Sequence, residues 1–191
     1  MPRLFTGIEI PPPIAQGLSM LRGGIPGARW IDPANYHMTL RYIGDIDGAT
    51  ARDVMQILGG VRRRSFDLVL NRLDQFGGRK PRAIFAGASP TPALNELQAE
   101  LERLLQRIGL PAEQRKYSPH VTLARLRDST AQQVAEYLAS RGPFRTPPFP
   151  VSRFVLYSSK ASTGGGPYVI EAAYPLSMES ERIPDARKAY G

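Results

Sequence analysis

The chain reads as one series of elements written twice, and no other feature limits its fold as much. Arg3–Ile10 has the composition of a strand, Pro11–Pro13 open a short helix with Ile14, Leu18 and Leu21 on one face, and a second strand follows at His37. Val54, Ile57, Leu58 and Val61 then recur at helical spacing, Gly59-Gly60 mark that helix's end, and Phe66–Leu73 reads as a further strand. The second half repeats the order. Ala83–Ala88 is strand-like, and Thr91-Pro92 supply an N-cap and first helical position. The helix that follows carries Leu94, Leu97, Leu101, Leu104, Leu105 and Ile108 on one stripe and closes at Gly109. A strand starts at His120, Ser129-Thr130-Ala131-Gln132 form a capping box for a helix that turns Val134, Tyr137 and Leu138 inward, and Phe149–Ser158 is the last strand of the repeat.

The chain has two histidines, and each opens a copy of one pattern: His37-Met38-Thr39-Leu40 and His120-Val121-Thr122-Leu123. A strand sends alternate side chains to opposite faces, so His37 and Thr39 share one face, as do His120 and Thr122. Met38, Leu40 and Tyr42, with Val121 and Leu123 in the second copy, face a core. Phe5 precedes His37 by nearly the same stretch that separates Phe85 from His120. The expected fold is therefore α+β: two similar lobes with antiparallel sheets, related by an approximate two-fold axis, with helices outside and a cleft between the sheets. The whole chain is read as one bilobal domain, with repeats at about 1–76 and 77–158 and residues 159–178 completing a sheet. The glycines Gly164-Gly165-Gly166 lack the lysine and following helix of a phosphate loop and read as a hairpin turn.

Composition narrows the chemistry. Cysteine is absent, which excludes disulfides, thiolate nucleophiles and thiolate metal sites. Two histidines without a carboxylate cluster make a metal centre the poorer reading, and no metal or cofactor is expected. No apolar run approaches the length of a membrane span, and the opening residues lack the build of a signal peptide, so a cytoplasmic monomer away from the membrane is expected. The 25 Lys and Arg against 17 Asp and Glu give a formal charge of +8, which suits a polyanion such as RNA. The consecutive Arg62-Arg63-Arg64 read more simply as a solvated surface.

Imidazole titrates near neutral pH and carries protons in either direction. With a phosphodiester between the two strands, one neutral imidazole takes a proton from the attacking hydroxyl while the other, protonated, gives one to the leaving oxygen. The threonine hydroxyls would donate to the non-bridging oxygens. A single His-x-Thr is more simply a hydrogen-bonded pair on a strand. Two of them, using every histidine at equivalent points of a repeat, favour catalysis. By strand counting Arg41 falls on the His37 face and is a candidate anion contact, whereas Arg125 lies an odd number of positions from His120 and needs a bulge to reach the cleft. Tyr36, Phe76 and Tyr117 are candidates to stack on a base, with core packing the simpler role for at least two of them.

At these residues the sequence resembles the 2H phosphoesterases, and within them the LigT-like RNA 2′,3′-cyclic phosphodiesterases (the ThpR group). The resemblance runs over nearly the whole chain: RLFTGIEIP, NYHMTLRYIGD, FGGRKPRAIFAG, RKYSPHVTLARL and YSSKASTGGGPYVIEAAYPL. It implies hydrolysis of a 2′,3′-cyclic phosphate end, on RNA or a nucleotide, to a 2′-phosphate. Some relatives also join or cleave 2′–5′ linkages in tRNA halves. Carried over by position, His37 is the proton donor and His120 the acceptor, with Thr39, Thr122 and Arg125 binding phosphate. Two alternatives stand: a nucleotide- or RNA-end-binding module without turnover, and an enzyme for another phosphoester such as ADP-ribose cyclic phosphate.

Overall fold

A computed structural model describes residues 3–160 and 166–178. Its elements, in chain order, are β1 (Arg3–Glu9), α1 (Pro12–Ser19), β2 (Ala28–Trp30), a 3-10 turn (Pro33–Asn35), β3 (His37–Asp45), α2 (Gly48–Leu58), β4 (Phe66–Leu68) and β5 (Leu70–Phe76). They continue with β6 (Ala83–Ala88), α3 (Pro92–Arg107), β7 (His120–Leu126), α4 (Ala131–Arg141), β8 (Phe149–Val151), β9 (Arg153–Ser159) and β10 (Tyr168–Pro175). The α+β reading holds, and the helices take their caps from the expected chemistry. The Thr91 hydroxyl accepts from the Leu94 N–H at the start of α3. The capping box of α4 sits one residue later than expected, between Thr130 and Gln133, because Ser129 instead donates to the Pro26 carbonyl.

The strands run β10-β9-β1-β3-β7-β6-β5, each antiparallel to its neighbour, with β2 added antiparallel to β7. The sheets of the two lobes therefore join edge to edge, through the single pair Met38↔Val121. The last strand of each repeat crosses over: β5, from the first repeat, pairs with β6, and β9, from the second, pairs with β1. Each lobe is thus completed by the other half of the sequence. β10 pairs antiparallel with β9 at the sheet's edge. Of the expected glycine turn, Gly164 and Gly165 lie outside the described residues.

One face of the sheet carries the main core. Leu4, Ile8, Met38, Leu40, Ile84, Ala86, Val121 and Leu123 pack there with the buried stripes of the four helices, such as Leu94, Leu97, Leu101 and Leu105 of α3. The alternate residues of the same strands line the other face, where Phe5, Val155 and Tyr157 form a small apolar cluster beside His37.

Both histidine strands carry a bulge at the same place. On β3 the pairing with β1 skips Leu40, since Thr6 faces Arg41 and Gly7 faces Thr39. On β7 the pairing with β6 skips Leu123, since Ile84 faces Ala124 and Phe85 faces Thr122. One unpaired residue reverses strand parity beyond it. Leu40 and Arg41 are both buried, as are Leu123 and Ala124, and the next residues, Tyr42 and Arg125, return to the histidine face. Gly7 makes room for the first bulge, because a Cβ there would stand 2.9 Å from the Met38 carbonyl oxygen. Gly17, in contrast, lies exposed on α1, and a Cβ there would meet nothing within 4 Å.

These two glycines should answer alanine with opposite signs. Gly7→Ala is expected to cost about 1–3 kcal/mol through overpacking against backbone, while Gly17→Ala gains about 0.5–1 kcal/mol by removing helical glycine. Urea unfolding of both variants checks this, and a Gly7→Ala protein as stable as the parent would contradict the tight β1–β3 approach.

Candidate active site

A cavity of about 600 Å³ opens over the seam and is lined by His37, Thr39, His120, Thr122 and Arg125. The antiparallel contact at Met38↔Val121 explains the grouping. Residues flanking that pair project to the opposite face from it, so His37 stands on the side of Thr122 and Thr39 on the side of His120. Two imidazole–hydroxyl couples thereby surround one space, although 80-odd residues separate them in the chain.

Each ring is oriented by the same device. The His37 Nδ1–H donates to the Asn35 carbonyl at 3.0 Å, and the His120 Nδ1–H donates to the Ser118 carbonyl at 2.7 Å. A carbonyl only accepts, which assigns the proton to Nδ1 and leaves Nε2 of each neutral ring free to take one. Aromatic rings hold the imidazoles from the side: Tyr168 and Phe5 lie 4.7 and 5.0 Å from His37, and Phe76 and Phe85 lie 4.8 and 5.4 Å from His120.

This packing depresses both imidazoles. Burial pushes His37 down to about 4, against the Asn35 hydrogen bond and with help from the charges of His120 and Arg125. His120 is lowered by burial, against the Ser118 hydrogen bond and with help from Arg125 and Arg72. The protein surroundings thus favour two neutral rings at pH 7.

The sequence-predicted residues divide. The bulge in β7 brings Arg125 into the cavity, as the parity argument required. The matching bulge in β3 turns the Arg41 side chain, 7% exposed, to Glu102 of α3 and the Tyr42 and Pro111 carbonyls; Arg41 still borders the cavity, but that ion pair occupies the guanidinium expected to contact an anion. Tyr36 is corrected to a core residue, buried on the helix side of the sheet. Phe76 and Tyr117 do line the cavity, and the Tyr117 hydroxyl donates to the Thr39 carbonyl at 3.2 Å, where β3 has parted from β7. Arg63, from the basic run, bridges Glu96 and Glu100 on α3 away from the cleft.

Tyr42, expected in the core by strand parity, is corrected to the cavity wall, because the bulge at Leu40 turns it to the histidine face, and sequence reasoning missed Tyr168, which also lines the cavity. Laying HMTLRY over HVTLAR would have flagged Tyr42, because it occupies the place of Arg125 in the other repeat. Arg82 and Lys116 add positive charge to the wall, and no ion pair among the described residues engages either of them or Arg125. Among the described residues no group of three or more His, Asp or Glu could hold a metal ion, and no helix is long and apolar enough to cross a membrane.

Depressed imidazoles link stability to pH. Unfolded histidine protonates near 6.5, while folded His37 resists until about 4, so unfolding takes up protons in that window and stability falls as pH falls through it. His37→Gln removes one such group. The urea midpoint of the parent should drop from pH 7 to pH 5 by more than that of the variant, and equal drops would contradict a buried neutral His37.

Comparison with known proteins agrees with this architecture. The sequence matches the 2′-5′ RNA ligase superfamily over residues 10–163. It is 30% identical to the RNA 2′,3′-cyclic phosphodiesterase of Aquifex aeolicus, covering 76% of this chain and 81% of that protein. It is 28% identical to that of Geobacillus stearothermophilus over 98% of this chain, yet spans only 60% of that longer relative. In structure it resembles Escherichia coli LigT complexed with 3′-AMP, with a TM-score of 0.73, 25% identity and coverage of 93% of this chain and 99% of that one. A family match across most of the chain, joined to a fold shared nearly end to end, means that this chain belongs to the 2′-5′ RNA ligase superfamily.

Proposed function

We propose that the chain hydrolyses 2′,3′-cyclic phosphate ends of RNA or nucleotides to 2′-phosphates by acid–base catalysis between two histidines, without a metal ion. The observation that carries this reading is the pair of imidazoles with matched Nδ1 anchors on one cavity, each beside the other repeat's threonine. The names of the Aquifex, Geobacillus and other relatives support the substrate.

In the proposed step, His120 Nε2 takes a proton from water as the water oxygen bonds to phosphorus. The bond from phosphorus to the ribose 3′-oxygen breaks, and His37 delivers a proton to that oxygen. Thr39, Thr122 and Arg125 hold the non-bridging oxygens where charge accumulates. A ribose 5′-hydroxyl attacking in place of water, with the same bond to the 3′-oxygen breaking, would form a 2′–5′ linkage, which the family's description supports as a second activity. The proposed setting is the cytoplasm, and the proposed working unit is a monomer.

An acid must carry its proton, whereas the protein surroundings alone favour neutral rings. A bound anionic phosphate supplies the missing charge and raises both imidazoles. Since kcat/KM follows the free enzyme and kcat the complex, the bell of kcat/KM should lie at lower pH than that of kcat, and coincident bells would contradict the assignment.

On a 2′,3′-cyclic mononucleotide, His37→Ala and His120→Ala should each lose about 10²–10⁴ in kcat, with turnover unchanged by a chelator. Variants within severalfold of the parent would turn the reading toward a binding module, in which the same cavity holds the nucleotide without converting it.

A further inference from the structure

The two repeats place their histidines so alike that their sequence does not say which gives and which accepts the proton. The third strand of each lobe differs. Across the second lobe a row runs in register from β5 through β6 to β7: Arg72 faces Gly87, and Gly87 faces His120. All three positions lie on the histidine face. A side chain at Gly87 would occupy the space between the others. Instead Arg72 extends over the bare backbone, and a Cβ at Gly87 would stand 3.1 Å from its Nε and 3.3 Å from an Nη. The guanidinium carbon lies 5.3 Å from the centroid of the Phe85 ring, which itself flanks His120.

The first lobe is built otherwise. There the residue facing His37 is Glu9, and Glu9 accepts two hydrogen bonds, of 2.7 and 2.8 Å, from Arg153 of β9. Each lobe thus carries an arginine on its third strand, but beside His37 a carboxylate neutralises it, while beside His120 a glycine stands where that carboxylate would be. Among the described residues no ion pair or hydrogen bond engages Arg72.

We infer that Arg72, lying across Gly87 toward His120, is a positioning residue whose charge disfavours protonation of His120, the proposed proton acceptor. This rests on the proposed acid–base reading. Arg125 acts on both rings and does not distinguish them, and a bound phosphate neutralises it for both. Arg72 stands outside the cavity wall and keeps its charge when the phosphate binds. Other charged or titratable groups on this side are Asp74 on β5, sharing the Arg72 face, Arg82 after the β5–β6 turn, and Glu113, Arg115, Lys116 and Tyr117 of the loop before β7. Of these, Arg115 is paired with Glu113. Across the seam stands His37.

The test uses the full chain, whose two histidines give two ring signals in proton–carbon NMR, assigned with His37→Gln. In Arg72→Gln the pKa of His120 should rise by about half a unit or more, that of His37 should move less, and Arg72→Lys should restore the parent value. Because Arg72 is exposed, high salt should shrink the difference. On a 2′,3′-cyclic mononucleotide, the limb of kcat/KM that follows His120 should move to higher pH in Arg72→Gln and return in Arg72→Lys. A His120 pKa unmoved in Arg72→Gln, or moved equally in Arg72→Gln and Arg72→Lys, overturns the inference and leaves Arg72 a packing partner of Phe85. If His120 shifts as stated while parent and variants alike turn over no cyclic nucleotide, the charge relation stands and the proposed reaction fails.

Discussion

The structure depends on one antiparallel contact. Met38 and Val121 meet where the two half-sheets join, and the approximate two-fold axis of the repeat passes through that pair. Both side chains are fully buried on the helix side, so the neighbours on either flank are forced to the other face. Those neighbours are the histidines and threonines. The hydrophobic core that secures the seam and the polar cavity above it are two sides of the same four-residue segments. Strands offer a more rigid mount than loops, which suits groups that must meet one phosphorus atom from opposite directions.

The bulges finish what the seam begins. An unbroken strand would have carried Arg41 into the cleft and buried Arg125. With one extra residue at Leu40 and at Leu123, the outcome reverses: Arg41 joins Glu102 beneath the sheet, and Tyr42 and Arg125 emerge above it. The same irregularity in two copies gives different chemistry, an aromatic ring on one side and a cation on the other. The exchange of β5 and β9 between lobes adds to this, since each histidine is buttressed by rings from both halves of the sequence: Phe5 and Tyr157 for His37, Phe76 and Phe85 for His120. Burial by those rings is what pulls both imidazoles toward neutrality.

Much of this is legible in the residues. Ala83–Ala88 shows both its ends because turn signals bound a short apolar run, and α3 does so because its leucine stripe and the Thr91 cap agree. The shared face of His37 and Thr39 follows from strand period alone. Beyond Leu40 and Leu123 that period fails, since a bulge is set by how two strands pair and not by the composition of one. The short β2 is invisible for a related reason: Ala28–Trp30 is extended only because the edge of β7, freed where β3 departs, accepts it. Tyr36 illustrates the limit of residue type as a signal, since its position next to His37 on a strand points it to the opposite face, into the core.

The central claim is that both imidazoles address one anion. The most direct measurement is a titration of the protein with a nucleoside 2′-monophosphate, followed through the two histidine ring signals by NMR. A single shared site predicts that both signals move together, with one dissociation constant and one equivalent of ligand. Movement of one signal only, or two different constants, would contradict it.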